Sequence, residues 1–68
     1  MEIQKRLATR VKALRREKGW SQEELAYRAN VHRTFVSQIE RATKVSSIVT
    51  VEKVARAFEI TIGVLLDE

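Results

Sequence analysis

The sequence contains no cysteine and no proline, one histidine and only two glycines. Without cysteine the chain can form neither a disulfide framework nor a thiolate zinc site, and a cysteine nucleophile is excluded. One histidine is too few for a multi-histidine metal site, so we expect no metal and no other cofactor. Two glycines do not make a phosphate-cradling loop, and nothing supplies a nucleophile with its base. We therefore expect a protein that is not an enzyme.

Long hydrophobic runs are also missing. No apolar stretch approaches the ~20 residues that span a bilayer. The N-terminus, MEIQKRLATR, is charged throughout and lacks the apolar core of a signal peptide. We expect a cytoplasmic protein with no membrane partner and no small-molecule ligand. A chain of 68 residues makes at most one small domain, 1–68, and such a domain buries only about 60% of its unfolded surface.

Positive charge is concentrated in the first two thirds of the chain. Residues 1–48 hold 11 Lys/Arg and 5 Asp/Glu, whereas residues 49–68 hold 2 and 4. A basic N-terminal part and a slightly acidic C-terminal part are typical of a protein that binds a polyanion through one surface. A solvated first helix could explain part of this excess, since seven of the basic residues lie in the first 18 positions.

The hydrophobic pattern predicts an all-α chain, a compact bundle of five helices. The predicted helices are Glu2–Lys18, Gln22–Ala29, His32–Arg41, Ile48–Phe58 and Ile62–Leu66. His32 would point inward if it were helical, so we expect it at the N-cap or in the turn. Apolar residues recur at helical spacing in the first and fourth of them, as Ile3, Leu7, Val11 and Leu14 and as Ile48, Val51, Val54, Ala55 and Phe58. Gly19 is a natural residue to follow the end of the first helix, and Trp20 beside it is expected in or near the core.

Residues 22–41 have the pattern of a short helix, a sharp turn and a second helix. Ser21 precedes the first helix as an N-cap, and Glu24 three residues on completes a capping box. Asn30 tolerates the left-handed conformation that a tight turn needs. Val31 follows as an apolar plug. This arrangement is the helix-turn-helix of DNA-binding proteins.

The second helix of this motif, the recognition helix, separates polar from apolar side chains. At ~100° per residue, five polar groups fall within an arc of roughly 140°. They are Arg33, Thr34, Ser37, Gln38 and Arg41. None of them is acidic, and Phe35, Val36 and Ile39 cluster on the opposite side. An ordinary amphipathic helix with a solvated face is the alternative, but the capped helix and turn before it favour a surface that binds DNA.

The exposed face predicts base contacts in the major groove. Arg33 lies in the first turn, and its guanidinium can donate two hydrogen bonds to guanine O6 and N7. Thr34 offers a methyl group suited to thymine, and Gln38 can pair with adenine or a phosphate. Ser37 completes this face as a contact to a base, a phosphate or water. Phe35 packs either against the core, which we favour, or against the sugar-phosphate edge.

The chain resembles the family of phage-repressor-like (XRE-type) regulators over nearly its whole length. The resemblance is carried by Arg15, Gly19, Ser21-Gln22, Leu25-Ala26, Val31 and Ile39-Glu40-Arg41. Within that family, the run HRTFVSQIERATK looks most like the controller proteins of restriction–modification systems, which have an Arg-Thr-aromatic-aliphatic-Ser run here. Asn30 and Ala42 stand where many relatives have glycine. The resemblance implies a lambda-repressor-like fold and a sequence-specific regulator of transcription that binds double-stranded DNA.

The resemblance also implies contacts to the DNA backbone. Ser21 and Gln22 match the helix start that holds a phosphate in relatives, in agreement with the free N–H groups and positive dipole end found there. Arg41 and Lys44 extend the basic rim beyond the recognition helix. Relatives use this loop for backbone or minor-groove contacts.

A structural role is implied for Arg15 and Glu40. Both match positions that pair in the family as a partly buried ion pair between the first helix and the recognition helix. An acid near DNA is costly unless it is neutralised, so Glu40 needs such a partner.

The last helix, about 61–66, is predicted to mediate dimerisation. Residues 60–66 hold more apolar side chains than a chain this short can bury. We expect a symmetric homodimer on a palindromic operator, with Ile62, Val64 and Leu65 as contacts. The alternative is that these residues only cover the bottom of the bundle.

Other functions remain open from the sequence. A controller of a restriction–modification operon is the leading prediction and a phage-type repressor is the next. An antitoxin would usually carry a further toxin-binding segment. A binder without sequence preference would not need a face that mixes arginine with threonine, serine and glutamine.

Overall fold

The all-α prediction is confirmed by a computed structural model, which describes residues 2–43 and 47–66. Its helices are α1 (Glu2–Lys18), α2 (Gln22–Ala29), α3 (Arg33–Arg41), α4 (Ile48–Ala57) and α5 (Ile62–Leu66). His32 is the N-cap of α3, one of the two places expected for it. The predicted bounds differ at Phe58, which is the C-cap of α4. The recognition helix is therefore α3.

Side chains and backbone caps fix both ends of the turn between α2 and α3. The Ser21 hydroxyl accepts a hydrogen bond from the N–H of Glu24 at 3.0 Å, so the helix start has the predicted cap. Asn30 ends α2 in the left-handed conformation, with φ 59°. The Nδ1 atom of His32 then accepts from the N–H of Thr34 at 3.1 Å and begins α3. These caps leave only Asn30, Val31 and His32 between the two helices.

Every helix contributes a large, fully buried aliphatic side chain to a single core. These residues are Val11, Leu25, Val36, Val54 and Leu65. Burial of each such side chain stabilises the fold by roughly 1.5–3 kcal/mol. Helix α3 packs against α1 and α2, α4 packs on α2, and α5 packs on α1 and α4. The core thus supports the inner side of α3 and leaves its other side at the surface.

An aromatic stack connects the α1–α2 turn to the end of α4. The rings of Trp20 and Phe58 are nearly parallel, with centroids 5.5 Å apart. The guanidinium of Arg28 lies over the Trp20 ring at 4.5 Å from its centroid. Trp20 is half-buried against the core, in line with its predicted position.

Three apolar residues predicted to face the core are instead exposed. The exposed fraction is 44% for Ile3, 48% for Phe35 and 66% for Ile48. Each lies in the first turn of its helix, where the stripe of core positions extends beyond the neighbouring helices that cover its middle. The prediction of a buried position was therefore wrong for these residues.

Candidate nucleic-acid interface

The structure places the five predicted DNA-contacting residues of α3 on its outer side. Arg33, Thr34 and Arg41 are exposed, and Ser37 and Gln38 are half-buried. Val36, Ile39 and Glu40 are buried on the inner side. Because neighbours at i and i+4 lie on one face of a helix, the arrangement forms one continuous strip along α3.

A shallow cleft joins this strip to the start of α2. It has a volume of about 380 Å³ and is lined by Ser21, Gln22, Glu23 and Arg33. The first backbone N–H groups of a helix have no acceptor within that helix, which here leaves the amides of Gln22 and Glu23 available. The structure thus brings predicted base-contacting Arg33 together with predicted phosphate-contacting Ser21 and Gln22.

Glu23 is the member of this cleft that sequence reasoning missed. Its side chain is exposed on the first turn of α2. An acid in the first turn interacts favourably with the helix dipole, and this stabilises α2 at a cost in repulsion toward a phosphate. A count of the basic residues could not predict the acid in this cleft, because Glu23 lies beside Arg33 only when α2 and α3 pack together.

Arg15 and Glu40 form a two-pronged ion pair between α1 and α3. The Arg15 Nε donates to Glu40 Oε2 at 2.6 Å, and its Nη2 donates to Glu40 Oε1 at 3.0 Å. A third donor, Arg15 Nη1, reaches the carbonyl oxygen of Trp20 at 2.8 Å. One guanidinium therefore holds α1, the α1–α2 turn and α3 together.

Gln22 is the third member of this cluster, and its role there was not predicted. Its side-chain Nε2 donates to Glu40 Oε1 at 3.1 Å. The side-chain amide is thus turned toward Glu40, and the main-chain N–H is the group that Gln22 can offer to a phosphate. The predicted contact site remains, but the group that provides it differs.

The pKa of the Glu40 carboxyl lies below its usual value. Burial raises this pKa, but hydrogen bonds from Arg15 and Gln22 and the positive charges of Arg15 and Lys12 outweigh that effect. The same hydrogen bond raises the pKa of Arg15. Both groups are therefore charged at neutral pH, and Arg15 neutralises the carboxylate beside the exposed strip of α3.

The remaining predicted contacts have different positions. Lys44 lies outside the described residues. Arg41 is the last residue of α3 and precedes Ala42, which has φ 54° in the left-handed region. Phe35, expected in the core, is next to Thr34 on the outer half of the first turn of α3.

One of the predicted dimer contacts requires correction. Leu65 is 0% exposed and belongs to the core, because the inner side of the short helix α5 packs on α1 and α4. Ile62 is half-buried, whereas Val64 is 51% exposed. Of the three residues, Val64 is thus the most exposed.

Within residues 2–43 and 47–66, no group of three or more His, Asp or Glu side chains could hold a metal ion. In the same ranges, no helix combines the length and the hydrophobicity needed to cross a membrane.

Comparison with known proteins identifies the family to which this chain belongs. A family model described as "Helix-turn-helix" matches residues 11–65. The transcriptional regulator SinR from Bacillus subtilis is 40% identical over 63 residues, which are 91% of this chain and 57% of SinR. The control protein C.BamHI from Bacillus amyloliquefaciens is 43% identical over 47 residues, which are 69% of this chain and 58% of that protein. The chain thus spans little more than half the length of these two relatives.

The fold comparison agrees with the sequence comparison. The crystal structure of the restriction–modification controller protein C.AhdI from Aeromonas hydrophila superimposes with a TM-score of 0.87 at 32% identity. The match covers 96% of this chain and 98% of C.AhdI. The chain belongs to the helix-turn-helix family of XRE-type DNA-binding transcriptional regulators and is related to SinR and to the restriction–modification controller proteins.

Proposed function

We propose that this protein is a sequence-specific regulator that binds double-stranded DNA as a homodimer on a palindromic operator and controls a restriction–modification operon. The exposed strip of α3, joined to the free amides at the start of α2, is the observation that carries this proposal. It combines groups that read bases with groups that hold a phosphate, side by side on two helices whose relative position is fixed.

In this proposal the first turn of α3 enters the major groove. Arg33 donates two hydrogen bonds to a guanine, and Thr34 meets a thymine methyl. Gln38 and Ser37, one turn further along α3, contact bases or water-bridged phosphates. These side chains determine which sequence binds most tightly.

Contacts to the phosphates position α3 in the groove. The amides at the start of α2, beside Ser21 and Gln22, bind one phosphate at the positive end of the helix dipole. Arg41 and Lys44 bind phosphates beyond the other end of α3. Such contacts add affinity for DNA of every sequence and set the orientation of the exposed strip of α3 in the groove.

The homodimer follows from the small size of one reading surface. A single helix-turn-helix contacts few base pairs, and a two-fold dimer doubles them by placing two recognition helices ~34 Å apart, one turn of DNA. The exposed Val64 on α5 supports an apolar contact between copies. The operator of such a dimer is a palindrome.

Two relatives support the controller subtype. C.BamHI and C.AhdI are both controller or control proteins, and C.AhdI matches this chain over nearly the full length of both proteins. The neighbouring genes provide an independent check. We expect an endonuclease or methyltransferase gene beside this one, whereas a toxin gene there would contradict the subtype.

Selection from a pool of randomised duplexes tests the proposed DNA binding without knowledge of the operator. Repeated rounds of binding and amplification should enrich one palindrome with half-sites about one helical turn apart. Enrichment of a single half-site would contradict the dimer, and a pool that stays random would contradict sequence-specific binding.

A further inference from the structure

The first three residues of α3 have no side chain in the core. Arg33, Thr34 and Phe35 are all exposed, and Val36 is the first buried residue of the helix. Packing therefore holds α3 only from Val36 onward. The residues proposed to contact bases first, Arg33 and Thr34, precede that point, so hydrogen bonds at the helix start must hold them in place.

His32 supplies the hydrogen-bond acceptors for this helix start. Its Nδ1 atom accepts from the N–H of Thr34 at 3.1 Å, and its carbonyl oxygen accepts from the N–H of Phe35 at 2.9 Å. The first N–H groups of a helix have no acceptor within that helix, so the ring takes the place of a missing partner. Within residues 2–43 and 47–66 the ring makes no other hydrogen bond and no ion pair.

The starts of α2, α4 and α5 are capped by hydroxyl groups instead. Ser21, Ser47 and Thr61 each accept from the N–H three residues further on. A hydroxyl oxygen accepts in neutral and in mildly acidic solution, whereas an imidazole nitrogen accepts only while it carries no proton. Of the four helices α2–α5, the recognition helix is thus the one whose cap depends on the protonation of a side chain.

Protonation converts this acceptor into a donor. Because Nδ1 faces a main-chain N–H, the neutral ring carries its proton on Nε2. A second proton on Nδ1 would point one N–H at another, so the bond to Thr34 is lost. The imidazolium is also a cation at the positive end of the helix dipole, which is unfavourable. Histidine ordinarily changes its charge between pH 8 and 5, and this chain has one histidine.

The other charged side chains around the turn between α2 and α3 are of types that keep their charge in this range. They line two clefts beside the turn and are Glu23, Arg28, Arg33, Lys53 and Arg56. Glutamate, lysine and arginine ordinarily change charge outside pH 5–8. Glu40, under α3, has a pKa below its usual 4.5 and stays ionised. A change in the recognition helix between pH 8 and 5 therefore reports on the imidazole.

We propose that His32 is a positioning residue for sequence reading and that its imidazole cap makes this reading sensitive to acid. With a neutral ring, the first turn of α3 is closed and presents Arg33 and Thr34 to the bases. With a protonated ring, that turn frays and both side chains lose their fixed orientation. This inference rests on the proposed function, in which these two residues contact bases.

Acid should lower the discrimination between sequences rather than the affinity for DNA in general. The proposed phosphate contacts lie at the start of α2 and beyond the end of α3, so they do not depend on the first turn of α3. The imidazolium adds a positive charge, which a polyanion attracts. The two effects separate a loss of reading from a loss of binding.

Titrations at pH 8 and pH 5, at one salt concentration, measure both effects. For wild type, the ratio of the affinity for the selected operator to the affinity for a random duplex should fall about fivefold at pH 5, the size of one N-cap. The affinity for the random duplex should not weaken. A ratio that stays constant would overturn the inference.

His32→Asn is the matched variant, because asparagine is a strong N-cap that does not titrate. It should keep the wild-type ratio at pH 8 and hold it at pH 5, while every other titratable group is the same in both proteins. His32→Ala removes the side-chain acceptor and should have a ratio about fivefold lower than wild type at pH 8. Equal losses at pH 5 in wild type and His32→Asn would assign the effect to another group and refute the role of His32.

Thermal melts without DNA separate this inference from the proposed function. A wild type that prefers no sequence at pH 8 contradicts the proposed function, but the cap can still be measured. The folded chain loses the cap on protonation and the unfolded chain loses nothing, so wild-type stability should fall as the pH falls from 8 to 5. The melting temperature of wild type should drop by about 4 °C or more relative to that of His32→Asn. A difference between the two that is the same at both pH values contradicts the acid-sensitive cap.

Discussion

Glu40 is the residue on which the position of the recognition helix depends most. Its carboxylate accepts hydrogen bonds from Arg15 and Gln22, so side chains from α1, α2 and α3 meet at one buried acid. A buried charge is costly without such partners. The cluster therefore fixes the angle at which α3 lies across α1 and α2, and with it the orientation of the exposed strip of α3.

Removing the cation from this cluster should destabilise the fold strongly. Arg15→Met leaves the Glu40 carboxylate buried with only Gln22 as a donor, and breaking one side of a buried pair costs roughly 3–5 kcal/mol. We expect a loss of about 3 kcal/mol in urea denaturation because Arg15 is itself partly exposed. The double variant Arg15→Met/Glu40→Leu is the control. It should lose much less, since no unpaired charge remains, and an equal loss in both variants would contradict this account.

Acid should weaken the same cluster. The pKa of Glu40 is lower in the folded protein than its usual 4.5, so folding favours the carboxylate and stability rises with pH in this range. The contribution is complete above pH 4.5 and is lost as the pH falls through the lower, folded value. The stability difference between wild type and Glu40→Gln, measured from pH 7 to pH 2, should therefore shrink below about pH 4.5. A difference that grows with acid would contradict the sign of the shift.

At the scale of the helices, local sequence predicts where each one begins and ends. Ser21 and Asn30 set the bounds of α2 through caps that involve only neighbouring residues. The all-α fold and the polar strip of α3 follow from the same short-range patterns. This is why the helix bounds and the five residues of the strip could be predicted from the chain alone.

Contacts between helices could not be predicted in the same way. The helical period predicted Ile48 and Phe35 as core positions, yet no neighbouring helix covers them. Leu65 shows the reverse error, because packing on α1 and α4 buries a residue that was assigned to a dimer surface. Gln22 turns its amide toward Glu40 for a similar reason, as the carboxylate comes within reach only when α2 and α3 pack together.

The end of α3 carries backbone strain that glycine should relieve. Ala42 has φ 54°, a conformation that costs residues with a Cβ roughly 1–2 kcal/mol. Ala42→Gly should therefore raise the free energy of unfolding by about 1 kcal/mol, or the melting temperature by about 4–8 °C for a domain of this size.

Asn30→Gly provides the comparison for that variant. Asn30 has nearly the same backbone angle at the end of α2, with φ 59°, but asparagine tolerates it. Its replacement should change stability by no more than a few tenths of a kcal/mol. Ala42→Gly with no gain over Asn30→Gly in thermal melts would show that the strain is absent.

At the scale of the whole molecule, two surfaces of different chemistry lie on different helices. The outer side of α3 carries Arg33 and Arg41 and suits a polyanion, whereas α4 and α5 expose the aliphatic side chains of Ile48, Val49 and Val64. The charge asymmetry of the sequence anticipates this division. The apolar area on α4 and α5 could not be predicted from the sequence, because only the packing of the helices decides that Val64 is exposed and Leu65 is not.

In the proposed function, α3 reads DNA sequence through Arg33 while Arg41 supplies affinity without sequence preference. Binding titrations of wild type, Arg33→Ala and Arg41→Ala test it, on the selected operator, on single-mismatch duplexes and on random DNA at several salt concentrations. Arg33→Ala should lose ~1–3 kcal/mol on the operator and flatten discrimination at one base pair. Arg41→Ala should weaken all duplexes similarly and reduce the salt slope by about one. If Arg33→Ala weakens random DNA as much as the operator, Arg33 does not read a base and the account is wrong.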